Sequence, residues 1–205
     1  LSGITGKMYA MQEIILASQS PRRKLLLEWA EVPFDVIVKH TDEDFPPGLS
    51  FSEAAIYIAR QKALAVHAHV KTAYQGRLAD KTILAADTVV VLDEAIIGKP
   101  ADRADAIRIL QSLSGKEHKV ITGVVLLHTG GEIAFADITE VSFHKLTDEQ
   151  IEYYVDKYEP YDKAGAYAIQ EWIGVVGIRS VKGDFYNVMG LPVSRVIQAL
   201  DTINS

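Results

Sequence analysis

The sequence predicts a mixed α/β fold, and three observations carry that reading. A short β-branched run, Glu13 to Ala17, leads directly into a helix start at Ser20-Pro21, which is the signature of a strand–helix unit. Two hairpin signals stand close together later in the chain, at Asp93-Glu94 and at Thr129-Gly130-Gly131-Glu132, and hairpins make antiparallel pairs. Apolar stripes at helical spacing separate these runs. A purely parallel, doubly wound sheet demands strict alternation of strands and helices, and this order departs from it.

In chain order, Ser20 reads as an N-cap with Pro21 at the first helical position. Leu25, Leu26 and Trp29 carry that helix to about Ala30. Phe34 to Val38 follows as a second strand, and the acidic, proline-containing stretch Thr41 to Leu49 as a loop. Ser50-Phe51-Ser52-Glu53 fits a capping box and opens an alanine-rich helix to about Val70, with a loop marked by Gly76. Thr82 to Leu92 is a strongly apolar strand broken by one acid, Asp87, and turns back through Asp93-Glu94 into Ala95 to Ile97. Ala106, Ile107, Leu110 and Leu113 form a helical stripe closed by Gly115. Lys119 to His128 and Ile133 to His144 form the longer hairpin. Thr147-Asp148-Glu149-Gln150 is a second capping box, opening a helix to about Lys157 in which Tyr153 and Tyr154 pack one face. Gly165 to Gln170 and Val175 to Val181 read as strands around a Trp172-Ile173-Gly174 turn. Asn187 to Pro192 reads as a loop before a last helix carrying Val193, Val196, Ile197 and Leu200.

At 205 residues the chain fits one large domain, or two lobes sharing a core. The expected domain is 8–205. Residues 1–7, ahead of Met8, read as a vector-derived or unstructured leader. The absence of cysteine excludes disulfides, thiolate zinc sites and thiol nucleophiles. Lys plus Arg number 21 against 27 Asp plus Glu, a net charge of −6, which argues against a nucleic-acid polymer as partner. No apolar run reaches the ~18 residues of a membrane span, and the first residues lack the pattern of a signal peptide. The expectation left by these absences is a cytoplasmic protein with no membrane partner.

Four segments bear chemistry. Leu16-Ala-Ser-Gln-Ser-Pro-Arg-Arg23 sets two hydroxyls and two guanidiniums at a strand-to-helix junction, where free N–H groups and the helix dipole suit an anion. The same residues would equally serve a plain capped helix with solvated arginines. Asp87 puts a carboxylate inside an apolar strand, which is costly unless it is paired or bound to metal; the alternative is a strand face turned to water. In Gly98-Lys99-Pro100 the lysine could reach a phosphate, although a surface turn explains the tripeptide as well. Asp162 to Gln170 gathers an acid, a base, small residues and an amide able to read a base edge, or else is a turn and an alternating strand. His67 and His69 face different directions on their helix. No nucleophile elbow, P-loop or dinucleotide fingerprint occurs.

Taken in order, these segments resemble the Maf family of nucleoside triphosphate pyrophosphatases, once called septum formation inhibitors. The matching residues are Leu16 to Arg23, Asp42-Glu43, Ala59-Arg-Gln-Lys-Ala63, Ala86-Asp-Thr88, Gly98-Lys-Pro100, Thr122-Gly123, Asp162-Lys-Ala-Gly165 with Ile169-Gln170, and Asn187-Val188 with Gly190-Leu-Pro192. The resemblance implies a two-lobed mixed α/β fold like that of the inosine triphosphatases, with an elongated mixed β-sheet and a cleft between the lobes. It implies hydrolysis of a nucleoside triphosphate to monophosphate and pyrophosphate, with a divalent cation, Mg²⁺ or Mn²⁺, held by Glu43 and Asp87. Asp87 would accept the proton of the attacking water. Arg22, Thr88 and Gln170 match positions tied to substrate choice and look like the dTTP and UTP subgroup. Ser18, Arg23, Lys62, Lys99 and Lys163 match phosphate-binding positions, and the family suggests a homodimer. One departure stands out: the family often has Gly-Ile-Gln-Gly, whereas here it is Ala168-Ile169-Gln170-Glu171, which bears on fine specificity. Modified pyrimidine triphosphates stand as a further expectation for the substrate. The competing reading is a non-catalytic, nucleotide-binding regulator of cell division; a costly carboxylate retained in an apolar strand counts against it.

Overall fold

The computed structural model describes residues 12–74, 78 and 80–203. The expected leader at 1–7 and the expected loop at Gly76 lie outside the described residues. Two strand–helix units come first. Strand β1 (Ile14–Leu16) is followed by α1 (Pro21–Trp29), and β2 (Phe34–Val36) by α2 (Phe51–Ala73). Helix crossovers return each strand in the same direction, so β1 lies parallel to β2 and to β3 (Ile83–Leu92). From β3 onward the chain turns back through tight loops, and the pairing becomes antiparallel: β4 (Ala95–Ile97) on one edge of β3, then β5 (Glu117–His128), β6 (Gly131–Phe143) and β7 (Ile178–Lys182) on the other. The described residues form one seven-stranded mixed sheet in the order β2-β1-β3-β5-β6-β7, with β4 beside β3.

Side chains alternate across a strand, and here they divide two cores. Ile15, Ala17, Ile83, Ala85 and Val125 pack on Ala59, Ala63, Val66 and Val70 of α2. Ile14, Leu16, Leu84 and Ala86 face the opposite way, into the larger core. That core is completed by α1, α3 (Arg103–Leu113), α4 (Asp148–Tyr158) and α7 (Val193–Ile203). Both capping boxes form, at Ser50 with Glu53 and at Thr147 with Gln150. Asp93 and Glu94 both take positive φ, 49° and 61°, the backbone of a two-residue hairpin turn whose twist matches its strands.

The segment after α4 corrects four expectations. Residues 165–170 are not a strand, because Gly165 (φ 74°) and Ala166 (φ 57°) are left-handed and extended backbone requires negative φ. The bend is set by tertiary contact: the Gly165 N–H donates to the Gly98 carbonyl at 3.1 Å, and a Cβ on Gly165 would meet Val90 at 3.1 Å. The expected turn at Trp172–Gly174 and the first part of the expected strand at Val175 are instead helix α5 (Trp172–Gly177), started where the Glu171 carbonyl accepts the N–H groups of Gly174 and Val175. The strand shortens to β7. The loop expected at Asn187 to Pro192 begins inside a short helix, α6 (Phe185–Met189), capped by Asp184 and ended by Gly190 at φ 116°. Tyr153 and Tyr154 do not pack one face, since Tyr154 is fully buried and Tyr153 is exposed. Among the described residues no helix is long and apolar enough to cross a membrane.

Candidate active site

A cleft of about 880 Å³ opens on the β1 side of β3. The β1 ladder ends at Leu84 and the β4 ladder begins at Val90, so residues 85–89 pair only with β5. Asp87 and Thr88 sit in that interval. All ten residues expected at the site (Ser18, Arg22, Arg23, Glu43, Lys62, Asp87, Thr88, Lys99, Lys163 and Gln170) line this one cleft.

Strand alternation sends Asp87 and Thr88 to opposite faces. Asp87 turns toward α2, where Lys62 Nζ lies 2.7 Å from its Oδ1 and 2.9 Å from Glu43 Oε1. The ammonium is therefore shared by two carboxylates. Its hydrogen bond holds the Glu43 carboxyl below the usual carboxylate value, against the opposing effect of partial burial. The approach of α2 depends on Gly123, which pairs with Asp87 across the β3–β5 ladder. A Cβ there would stand 2.3 Å from the Ala55 carbonyl carbon and the Ile56 nitrogen. Lys62 is two helical turns beyond Ala55, on the same face.

Thr88 turns toward α1. Arg23 donates from Nη2 to Thr88 Oγ1 (3.1 Å), from Nη1 to Ser18 Oγ (3.1 Å) and from Nε to the Gly190 carbonyl (2.8 Å). Three of its five N–H donors are thus spent on the protein. Burial pushes its guanidinium below its ordinary value, and Asp87 works in the other direction. Thr88 Oγ1 also lies 2.9 Å from Thr122 Oγ1, and the Thr122 hydroxyl donates to the Asn187 carbonyl at 3.2 Å. Asn187 is fully buried and donates to the Val120 and Asp137 carbonyls and to Thr139 Oγ1. At the N-terminus of α1, the Ser20 side chain accepts from the Arg23 backbone N–H, and Ser18 Oγ accepts from the Ser20 N–H.

The rim is cationic, and its cations share two acids. Arg22 Nη1 lies 3.3 Å from Asp162 Oδ2, Lys163 Nζ lies 2.8 Å from Asp162 Oδ1, and Lys99 Nζ lies 3.8 Å from Glu43. An anion entering the cleft would find these cations already gathered, each loosely tied to an exposed acid. Gln170 is exposed, and its amide has no partner among the described residues. Arg60, in the same helical motif as Lys62, does not join the site and pairs with Glu132 instead. Sequence reasoning assigned no role to Asp162, Thr122, Asn187 or Gly190. Their involvement depends on partners 34 to 167 residues away in the chain, and only their presence within the quoted motifs points to it.

Among the described residues no three His, Asp or Glu side chains gather as a ready ligand set. Asp87 and Glu43 nevertheless converge on one cation, the Lys62 ammonium. Two carboxylates are what a hard divalent ion usually takes from protein when phosphate oxygens and water fill the remaining positions. The donor set fits such an ion.

Residues 13–203 match the family model described as "Maf-like protein". Three curated relatives, each called "dTTP/UTP pyrophosphatase", align over most of their length. The protein from Porphyromonas gingivalis (strain ATCC 33277) is 48% identical over 183 residues, 88% of this chain and 89% of the relative. That from Cytophaga hutchinsonii is 47% identical, covering 92% of this chain and 83% of the relative. That from Parabacteroides distasonis is 45% identical, covering 92% and 94%.

Proposed function

The chain belongs to the Maf-like family, and from that premise we propose that it hydrolyses dTTP and UTP to the nucleoside monophosphate and pyrophosphate. The observation that carries this reading is the pairing of Asp87 and Glu43 through Lys62 at the base of a cleft ringed by Arg22, Lys99 and Lys163. Acids alone would repel a triphosphate, and cations alone would bind it without a base. The names of the relatives support the same nucleotides.

In this reading a water oxygen adds to the α-phosphorus and the bond to the αβ-bridging oxygen breaks. Asp87 accepts the water proton as general base. Arg22, Lys99 and Lys163 leave their acidic partners for the phosphate oxygens, Arg22 with planar donors matched to them. They stabilise the charge that builds on departing pyrophosphate. Lys62 and the two free N–H groups of Arg23 face the same oxygens from the floor, beside Ser18. Glu43 and Asp87 would hold a divalent cation, Mg²⁺ or Mn²⁺, which supplies Lewis-acid neutralisation of the phosphate chain. Arg22, Thr88 and Gln170 act in substrate choice, Gln170 through the donor and acceptor of its unpartnered amide. The reading takes 8–205 as one catalytic domain, set in the cytoplasm beside the nucleotide pool, with a second copy as its partner.

The experiment is pyrophosphate release across the common triphosphates and 5-methyl pyrimidine forms, with and without Mg²⁺ or Mn²⁺, for the wild type and Asp87→Asn. The expected result is release from dTTP and UTP, lowered about 10²–10⁴-fold by the substitution. Full turnover by Asp87→Asn would remove Asp87 from this role.

A further inference from the structure

Glu171 stands next to Gln170 but does not line the cleft. Its carboxylate points back into the protein and makes two contacts. One oxygen accepts a hydrogen bond from the Tyr154 hydroxyl, and the other lies 3.7 Å from Lys163 Nζ. Tyr154 is fully buried, and its hydroxyl also accepts the Ala168 N–H at 3.1 Å. The phenol thus spends its proton on Glu171 and a lone pair on Ala168. Burial and the bond to Glu171 together push the phenol above its ordinary value, so it stays a donor.

The backbone closes the same circuit. The Glu171 N–H donates to the Ala168 carbonyl at 3.1 Å. The first turn of α5 then lies against Ile169, where a Cβ on Gly174 would fall 1.8 Å from the Ile169 oxygen. Residues 168–171 are held on both sides, while the Gln170 side chain between them projects without a partner. Lys163, with a side chain only 10% exposed, sits between Asp162 and Glu171. One carboxylate that touches no ligand therefore connects the backbone presenting the amide to the ammonium facing the phosphates.

We propose that Glu171 is a positioning residue: acting through Tyr154, it fixes where Gln170 meets the base and so sets base selectivity. The proposal rests on the triphosphate reading above. A purely structural role would instead weaken turnover of every nucleotide alike.

The test compares wild type, Glu171→Gln, Glu171→Ala, Tyr154→Phe and the Glu171→Ala/Tyr154→Phe double variant. It reads kcat and KM for dTTP and for GTP, together with the melting temperature. Glu171→Ala is expected to lower the dTTP-to-GTP ratio of kcat/KM by roughly tenfold, mainly through KM for dTTP. Glu171→Gln, whose amide oxygen still accepts from Tyr154, keeps the ratio within about twofold. Tyr154→Phe reproduces the loss and the double variant goes no further, as for two members of one unit. A folded Glu171→Ala protein with an unchanged ratio overturns the proposal, as does an equal loss for both nucleotides. A wild type that releases no pyrophosphate from any triphosphate overturns the parent reading and this one with it.

Discussion

Gly123 lies directly across the β3–β5 ladder from Asp87, and the backbone of α2 passes over it at a distance that leaves no room for a Cβ. The missing side chain lets the helix bring Lys62 within 2.7 Å of the Asp87 carboxylate. A glycine with no side chain thus sets the geometry of the Lys62–Asp87 pair.

Gly123→Ala is accordingly expected to act on both stability and turnover. The added methyl meets the Ala55–Ile56 backbone at 2.3 Å, and backbone cannot swing aside as a flexible side chain can. Overpacking of this kind costs about 1–3 kcal/mol. Chemical denaturation should show that loss, and pyrophosphate release should fall as Lys62 moves off Asp87. A variant with wild-type stability would show that α2 is free to shift.

Lys62→Met removes the cation that Asp87 and Glu43 share. Their mutual repulsion is then offset only by the more distant Lys99 and Arg23, so Mg²⁺ should raise the melting temperature of the variant more than that of the wild type. Equal rises in both proteins would count against the two carboxylates as the ion's holders. The acid limb should change too. In the wild type the Glu43 carboxyl is held below its usual value of 4.5, so its contribution to stability is present above that value and is lost as pH falls through the lowered one. Without Lys62 that small dependence should flatten.

His118, buried in β5, donates or accepts one hydrogen bond with Tyr167 and leaves Nδ1 unpartnered. Burial pushes its pKa from 6.5 down to about 4. The folded state therefore keeps the ring neutral while the unfolded chain takes up a proton. Stability from this group is full above about pH 6.5 and declines toward pH 4, by roughly 3 kcal/mol in all. Urea titrations at neutral pH and near pH 4.5 should show the decline, and His118→Gln should remove most of it. An unchanged pH slope in the variant would assign the acid sensitivity elsewhere.

Local signals in the sequence were reliable because the structure satisfies them locally. The Ser50 and Thr147 capping boxes, the Asp93-Glu94 turn and Pro21 at the start of α1 each involve neighbours a few residues apart. The segment from Gly165 to Gly177 departs from its sequence pattern because its conformation is imposed from outside. Gly165 bends to reach Gly98, and α5 forms where Gly174 can lie on the Ile169 carbonyl. The apolar alternation of Ala166, Tyr167, Ala168 and Ile169 reflects burial of all four, not one face of a strand. The site followed the same division. Which residues would gather was readable from the ordered motifs. That Thr88 and Gly190 would join Ser18 in consuming Arg23, and that Asp162 would hold Arg22, is not readable, because Thr88, Gly190 and Asp162 come from distant parts of the chain.

The Arg23 fork has a consequence for biosynthesis. It ties the first helix to a carbonyl 167 residues further along. A buried guanidinium without acceptors is costly, so while the polypeptide is still emerging from the ribosome this arginine has no reason to settle into its final place. The Arg23 Nε donor finds its acceptor only after the segment around Gly190 has been synthesised. A product truncated before that segment would lack Val188, Met189 and Gly190 from the cleft wall and would leave the Arg23 Nε donor without its acceptor, so a late part of the chain finishes a surface that the early elements begin.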